Sequence, residues 1–366
     1  MALEIDSETD DVTASLAARV RNAAAACTPL RIRGGGSKDF YGQALEGDIL
    51  DMTAYTGIVS YEPSELVVTV RAGTPLAELE ALLAAQGQCL PFEPPHFGGG
   101  GARATVGGMV AGGLNGPARA SVGAVRDYML GVVLLNGKGE RLVFGGQVMK
   151  NVAGYDVSRL MAGSLGTLGV LLEVSLKVLP VAPMEATLVF DMDEAAALQQ
   201  LNRWGTMPLP VNASCWREDR LYVRLRGAKA AVAAAQKSMG GEVLDSDAAR
   251  HWTALREQAQ PFFALQADES LWRLSVPDTA PPLNLGETLV EWGGAQRWIK
   301  RPDGDAGLIR KAAEQASGHA TLFRSARKSV PVFSALVPPL DRIHRELKKQ
   351  FDPAGVFNPH RMYADF

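Results

Sequence analysis

Leu30-Arg31-Ile32-Arg33-Gly34-Gly35-Gly36-Ser37 runs from alternating apolar and basic residues straight into three glycines and a serine. It reads as a short strand ending in a turn that only glycine backbone can follow. A second stretch, residues 98–116, has glycine at nine of its nineteen positions. Those glycines are interleaved with Thr105, Val106, Met109, Val110 and Leu114 rather than with serine, glutamine or charge, so the segment is a packed turn beside a ligand and not a tether. Of 38 glycines, 27 precede residue 181, so the chain changes character near Pro180. Two glycine turns can aim successive backbone N–H groups into one concavity, a nest that binds anions and phosphates above all. Charge-assisted hydrogen bonds of this kind contribute about 1.5–3 kcal/mol each.

The common nucleotide signatures do not explain the glycines. Gly137-Lys138 is followed by Gly139, so no P-loop is present. Gly99-x-Gly101-x-x-Ala104 has the relaxed dinucleotide spacing, but it follows Pro94-Pro95-His96-Phe97 instead of a strand. No helix is expected to open from it, and the match is read as chance.

Periodicity predicts a helix over Val12 to Cys27 and strands over Leu30 to Arg33, Ile49 to Met52, Gly57 to Tyr61 and Leu66 to Arg71. Thr74-Pro75 opens a helix with a hydroxyl cap, and Gly87 stops it. Met129 to Leu135 and Arg141 to Phe144 form a hairpin around Asn136-Gly137. Val170 to Leu179 alternates as one strand, with Glu173, Ser175 and Lys177 on a wet or lined face. After Pro180 the order strand, helix, strand, strand, helix, strand (Ala186 to Leu244) is ferredoxin-like. Further strands (Leu271 to Val276, Thr288 to Trp292, Arg297 to Lys300, and one beginning at His319) and helices (Gly307 to Ala316, Pro339 to Phe351) complete an α+β second half. Trp272, Trp292 and Trp298 fall on strand positions and are expected in the core.

With 366 residues, two domains is the natural expectation. Lys plus Arg total 37 against 40 acidic residues, a balance that argues against a nucleic-acid binder. No apolar run approaches the roughly 20 residues that span a bilayer. Met1 to Asp11 carries five acidic residues and no basic one, the reverse of a leader peptide, so a cytoplasmic protein is expected, with membrane contact at most peripheral. Cys27, Cys89 and Cys215 lie far apart and fit buried, reduced thiols that cannot hold an iron–sulfur cluster.

Arg33-Gly34-Gly35-Gly36-Ser37, Thr105-Val106-Gly107-Gly108, Lys150-Asn151-Val152-Ala153-Gly154-Tyr155-Asp156 and Gly163-Ser164-Leu165-Gly166-Thr167-Leu168-Gly169-Val170 follow one another in this order. Together they resemble the PCMH-type FAD-binding fold of the vanillyl-alcohol oxidase superfamily. Phe351-Asp352-Pro353-Ala354-Gly355-Val356-Phe357-Asn358-Pro359 is similar to that family's closing segment. The length, Pro91 to His96 and the Arg361-Met362-Tyr363 tail resemble most closely the FAD-binding subunits of bacterial glycolate oxidases. The resemblance implies an α+β chain: a PCMH-type FAD-binding domain over 1–182, a ferredoxin-like α+β cap over 183–337, and a segment over 338–366 returning to the first domain. It implies FAD, held on one side of the diphosphate by Arg33, Gly34, Gly35, Gly36 and Ser37 and on the other by Thr105, Gly107 and Gly108. Pro94 and Gly123 complete the set, Gly166, Thr167 and Val170 line the adenosine half, and Asn358 approaches the flavin ring. Gly123-Ala124 stands where relatives often have Gly-Ser, which removes one hydroxyl donor. The implied activity is oxidation of glycolate or D-lactate to the 2-oxo acid. The implied partners are a larger FAD-containing subunit and an iron–sulfur subunit that takes the electrons. A self-sufficient 2-hydroxy-acid dehydrogenase and a scaffold subunit without turnover are the alternatives.

The substrate site is less legible. Oxidising a 2-hydroxy acid needs an acceptor for the hydroxyl proton and a cation for the carboxylate. The histidines His96, His251, His319, His344 and His360 show no ligand spacing, and no metal is expected. His96 reads either as a residue near the flavin or as a loop histidine; His319 reads as a base or as an ordinary strand residue. Arg324, with Arg327 and Lys328, reads as a carboxylate clamp or as a solvated basic face. Some relatives attach FAD through a histidine in the first loop, whereas this loop ends in Ser37-Lys38, so the resemblance implies non-covalent FAD. Acid precipitation should release all yellow colour into the supernatant; a yellow pellet would contradict this.

Overall fold

The computed structural model describes residues 7–99, 101–146 and 156–365. Residues 150–155 of the third motif lie outside the described residues, and Asp156 caps the short helix that follows. In chain order the first half runs α1 (Ser7–Ala26), β1 (Leu30–Arg33), β2 (Asp48–Asp51), β3 (Ile58–Glu62), β4 (Val67–Arg71), α2 (Leu76–Ala85) and β5 (Gln88–Cys89). It continues α3 (Val106–Gly112), α4 (Arg119–Val122), α5 (Val125–Tyr128), β6 (Met129–Leu135), β7 (Arg141–Gly145), α6 (Val157–Leu160), β8 (Val170–Lys177) and β9 (Leu179–Pro180). β3, β4, β8, β6 and β7 form an antiparallel sheet in that order, and β1 and β2 form a separate parallel pair.

The sheet is buried on two faces, and a β-bulge decides which residue goes where. Leu134 pairs with Leu171 and Val133 with Glu173, so Leu172 is an extra residue. It shifts the alternation. Val170 and Leu172 pack with α1 residues Leu16 and Val20 on one side, while Val174, Leu176 and Val178 pack with α2 and α3 on the other. The single-faced strand expected over Val170 to Leu179 is therefore corrected. Its supposedly wet Ser175 is buried against Thr69, hydroxyl to hydroxyl at 2.9 Å.

Other local expectations change for equally specific reasons. Thr74 does not cap α2: its hydroxyl binds the backbone of Gly57, and Pro75 takes the cap position without a side-chain bond. The β6–β7 turn is longer than Asn136-Gly137, because Asn136 Oδ1 accepts from the N–H groups of Lys138 and Glu140 and Gly139 takes the positive φ of 70°. A helix does open close behind Gly99-x-Gly101-x-x-Ala104: Thr105 caps α3 by accepting from Gly108 N–H. Cys27 is exposed and Cys89 half-buried, so only Cys215 is the buried thiol expected.

The second half runs β10 (Met184–Asp191), α7 (Glu194–Gly205), β11 (Val211–Arg217), β12 (Arg220–Gly227), α8 (Lys229–Met239), β13 (Glu242–Val243) and α9 (Ala248–Arg256). Then come β14 (Ser270–Ser275), β15 (Thr288–Glu291), β16 (Gln296–Arg301), α10 (Ala306–Gln315), β17 (His319–Arg324) and α11 (Leu340–Phe351). The order β13-β10-β12-β11 is the ferredoxin-like one, and β15-β16-β14-β17 repeats it in mirror sequence. The two four-strand halves join into one sheet through β11 and β15. α7 and α8 cover one face of the first half and α10 the second. The opposite face, with Cys215, Leu271, Leu289, Trp298 and Phe323, packs against Tyr41, Leu114 and Leu165 of the first half. Trp272 and Trp298 are core residues, whereas Trp292 lies outside β15, with φ 54° and Arg119 stacked over it at 4.8 Å. Among the described residues no helix is long and apolar enough to cross a membrane.

Glu291 is buried in this sheet, accepting from Trp298 Nε1 at 2.6 Å and Gln296 Nε2 at 3.0 Å. Burial pushes its carboxyl up to about 7. The folded chain thus holds a proton that the unfolded chain releases, and stability falls as pH rises from the unfolded value through 7. Glu291→Gln should remove a fall on the order of 3 kcal/mol between pH 4.5 and 8. Urea titrations across that pH range check the flattening.

Candidate functional site

β1 delivers the first glycine turn to a cleft that it shares with the second glycine turn, Leu165 and the closing segment. Among the described residues, the backbone N–H groups of Gly34, Gly35, Gly36, Ser37 and Lys38 meet no protein acceptor, although the turn is ordered by Asp39 N–H donating to Gly36 O. Successive unengaged amides after a strand are the donors from which an anion nest can be built. The second glycine turn is different. Val106 N–H donates to Thr74 O, Gly107 N–H to Ala72 O and Gly108 N–H to Thr105 Oγ1, so these amides are engaged within the protein. That turn supplies a wall rather than donors.

The two turns touch through their backbones. A Cβ at Gly35 would overlap the Arg103 carbonyl oxygen, and one at Gly34 would overlap Thr105 Oγ1. Gly36 has φ 76° with the Arg33 guanidinium directly over it. Arg33 and Arg31 share Asp39.

Two adjoining narrow clefts of about 90 and 70 Å³ meet at Ile32, Gly34, Gly108, Ala111, Leu165 and Asn358. The first also has Arg33, Gly35, Gly36, Ser37, Lys38, Thr105, Gly112 and Arg361; the second has Met52, Ala72, Gly107, Gly166 and Gly169. Of the residues singled out in the sequence, the structure therefore gathers Arg33, Gly34, Gly35, Gly36, Ser37, Thr105, Gly107, Gly108, Gly166 and Asn358. Pro94, Gly123, Thr167 and Val170 line neither cleft. Thr167 donates its hydroxyl to Ser164 O, and Gly123, with φ 94°, sits against Asp127.

Asn358 holds the clefts together. Its Oδ1 accepts from Ile32 N–H at 2.8 Å and its Nδ2 donates to Leu165 O at 2.6 Å. Arg361 lies beside it, donating to the carbonyls of Asp39, Tyr41 and Gln43. Burial pushes Arg361 down to about 10 against the pull of Asp39. Lys38 contributes the amine of the first cleft. Its Nζ has Ser37 Oγ at 3.3 Å, and burial, opposed by Glu257, lowers it to about 8. Lys38 and Leu165 were not singled out as site residues, although Lys38 follows the glycine turn directly and Leu165 precedes Gly166.

None of the three catalytic candidates lines a cleft. His96 Nε2 pairs with Glu80 at 2.8 Å and the N–H groups of His96 and Phe97 donate to Glu257, so this segment straps the first half to the second. His319 begins β17 opposite Ser275, its pKa lowered by burial and then by Arg273. Arg324 donates to Gln258 Oε1 at 2.9 Å and lies over the rings of Phe40 and Phe97. Glu93 makes the second strap, binding Arg224 at 2.7 Å and Arg226 at 3.2 Å.

Residues 11–145 match the model of the FAD binding domain family. Glycolate oxidase subunit GlcE of Escherichia coli (strain K12) is 47% identical over 356 residues, which is 97% of this chain and 98% of that protein. Glycolate oxidase subunit GlcD of Bacillus subtilis (strain 168) is 31% identical over 145 residues, 38% of this chain and 29% of the relative. A D-lactate dehydrogenase of Anaerostipes hadrus is 34% identical over 37% of this chain and 27% of its own length. Among solved structures, alkyldihydroxyacetonephosphate synthase superposes with a TM-score of 0.63 at 15% identity, covering 94% of this chain and 75% of the other, a likeness of fold.

The loop packing gives a paired prediction. Gly35→Ala forces the two glycine turns apart and should lower stability by about 1–3 kcal/mol, as overpacking does. Gly99→Ala meets open space and should stay within about 0.5 kcal/mol. Thermal unfolding of the two variants side by side checks the difference.

Proposed function

This chain belongs to the family of glycolate oxidase subunit GlcE, and from that premise we propose that it is the FAD-carrying subunit of a glycolate oxidase assembly. FAD, when bound, supplies two-electron oxidation of a 2-hydroxy acid such as glycolate or D-lactate. The observation that carries the reading is that Gly34 to Lys38, whose five amides meet no protein acceptor among the described residues, line a cleft at the end of β1. It fits a dinucleotide diphosphate. In this reading the amides and the Lys38 amine hold the diphosphate, Arg33 and Arg361 steady the turn, and Gly107, Gly108 and Gly166 form walls close enough for backbone contact. Asn358 keeps the strand-end turn and the Leu165 turn at a fixed separation. Ser37 offers no covalent attachment point, so the FAD is non-covalent.

The division that accompanies this function is an FAD-binding unit over 1–182, a cap over 183–337 and a returning segment over 338–366. It is supported by the separate five-stranded and eight-stranded sheets and by Asn358 meeting Ile32.

The chain works with a larger FAD-containing subunit and an iron–sulfur subunit. Three cysteines, one exposed, one half-buried and one buried, are all free, so electrons leave through another chain. In this reading the larger subunit removes the substrate proton, and His96, His319 and Arg324 of this chain line neither cleft. The same reading includes a cytoplasmic location, with membrane contact at most peripheral and made through the assembly.

The anaerobic visible spectrum tests this. The isolated chain should be yellow, keep its flavin bands when glycolate is added, and bleach once the larger subunit is supplied. Bleaching by glycolate in the isolated chain would favour a self-sufficient dehydrogenase, and a colourless chain that still binds its partners would favour a scaffold.

A further inference from the structure

A cavity of about 580 Å³ lies in the second half, walled by the β11–β12 hairpin, α9 and Gln260-Pro261, and shares no residue with the dinucleotide clefts. Its volume is in the range of small-molecule sites, about 300–1,000 Å³. The hairpin places Arg217 directly opposite Arg220. Like charges facing each other across two strands oppose folding, and here the pair is set at the mouth of a cavity. α9 adds Arg250 from the other wall and presents His251 beneath them, its ring stacked on Tyr222 at 4.1 Å. Burial and the nearby Arg217 lower the imidazole to about 4, so it is neutral at physiological pH. Its Nε2 is buried and has no partner among the described residues.

The carboxylates around these guanidinium groups are weak competitors. Arg217 pairs with Glu218, Arg250 with Asp247, and Arg220 with Asp191 and Glu242 at 3.4 and 3.9 Å. All four carboxylates are exposed, between 56% and 88%, whereas Arg217 is 22% exposed. Such exposed pairs are easily exchanged for a ligand that brings its charges together. Guanidinium groups take carboxylate or phosphate oxygens in pairs, and two facing forks select an anion with at least two charges over a monoanion.

We propose that this cavity binds a small oxyanion of charge two or more, clasped between Arg217 and Arg220 with Arg250 at the rim. Malonate and inorganic phosphate are the probes, titrated calorimetrically into the full chain at constant ionic strength, with acetate and chloride as controls. Saturable binding of malonate or phosphate, at least tenfold tighter than acetate, is expected, and the better probe identifies a carboxylate or a phosphate ligand. Trp252, edge-on to His251 at 5.0 Å, reports the same event by fluorescence. Arg217→Gln and Arg220→Gln should each weaken binding at least tenfold with unchanged visible spectrum. Arg250→Gln, at a 79% exposed side chain, leaves the fold intact and should weaken it severalfold. Absence of saturation, equal response to acetate, or undiminished binding in the Arg250→Gln chain together with either other variant would overturn the site.

Discussion

One carboxamide ties together the walls of the two clefts proposed for the dinucleotide. Asn358 joins the N–H of Ile32, on the strand that ends in the first glycine turn, to the carbonyl of Leu165, in the turn before β8. Those residues are separated from it by 326 and 193 positions in the chain. Its own N–H donates to Leu30 O, and Leu30 N–H donates to Val356 O. The last segment thus behaves as a third strand beside β1. Since the nest amides begin one residue after β1, their position follows from that docking.

The docking is in turn held by a buried ion pair that is fully hydrogen-bonded. Lys348 donates to Asp352 at 2.7 Å, to Thr167 O at 2.9 Å and to Phe357 O at 2.8 Å. Asp352 also accepts from the N–H groups of Val356 and Phe357. A buried pair contributes little net stability over an apolar substitute, yet losing one member costs about 3–5 kcal/mol. Its contribution here is geometric: it bends the chain after α11 so that Asn358 reaches Ile32. Through its carbonyl Thr167 ties the turn before β8 to α11, although it lines neither cleft.

How far the sequence could be read follows from the range of each interaction. The glycine turns, β-branched strands and ferredoxin-like order are local patterns, and Gly34 to Ser37, Thr105 and Asn358 could be picked out from them and from the family resemblance. The Leu172 bulge could not, since alternation from Val170 to Val178 looks unbroken until β6 sets the register. Nor could the roles of His96 and Glu93, which depend on Glu257 and Arg224 more than a hundred residues away. The engaged amide of Gly107 is equally silent in the sequence, because its acceptor, the Ala72 carbonyl, is chosen by packing. The mirrored strand order of the second half is also hidden, as its second copy lacks the first crossover helix.

The most direct test of this account is FAD affinity after Asn358→Gly, which removes the carboxamide while accommodating the φ of 40° at that position. FAD titrated into the flavin-free variant, followed by flavin fluorescence, should bind at least about tenfold more weakly than in the parent chain, or about 1.4 kcal/mol. Far-ultraviolet circular dichroism should be unchanged. Parent-like affinity in a folded Asn358→Gly chain would contradict the claim that the closing segment sets the geometry of the nest.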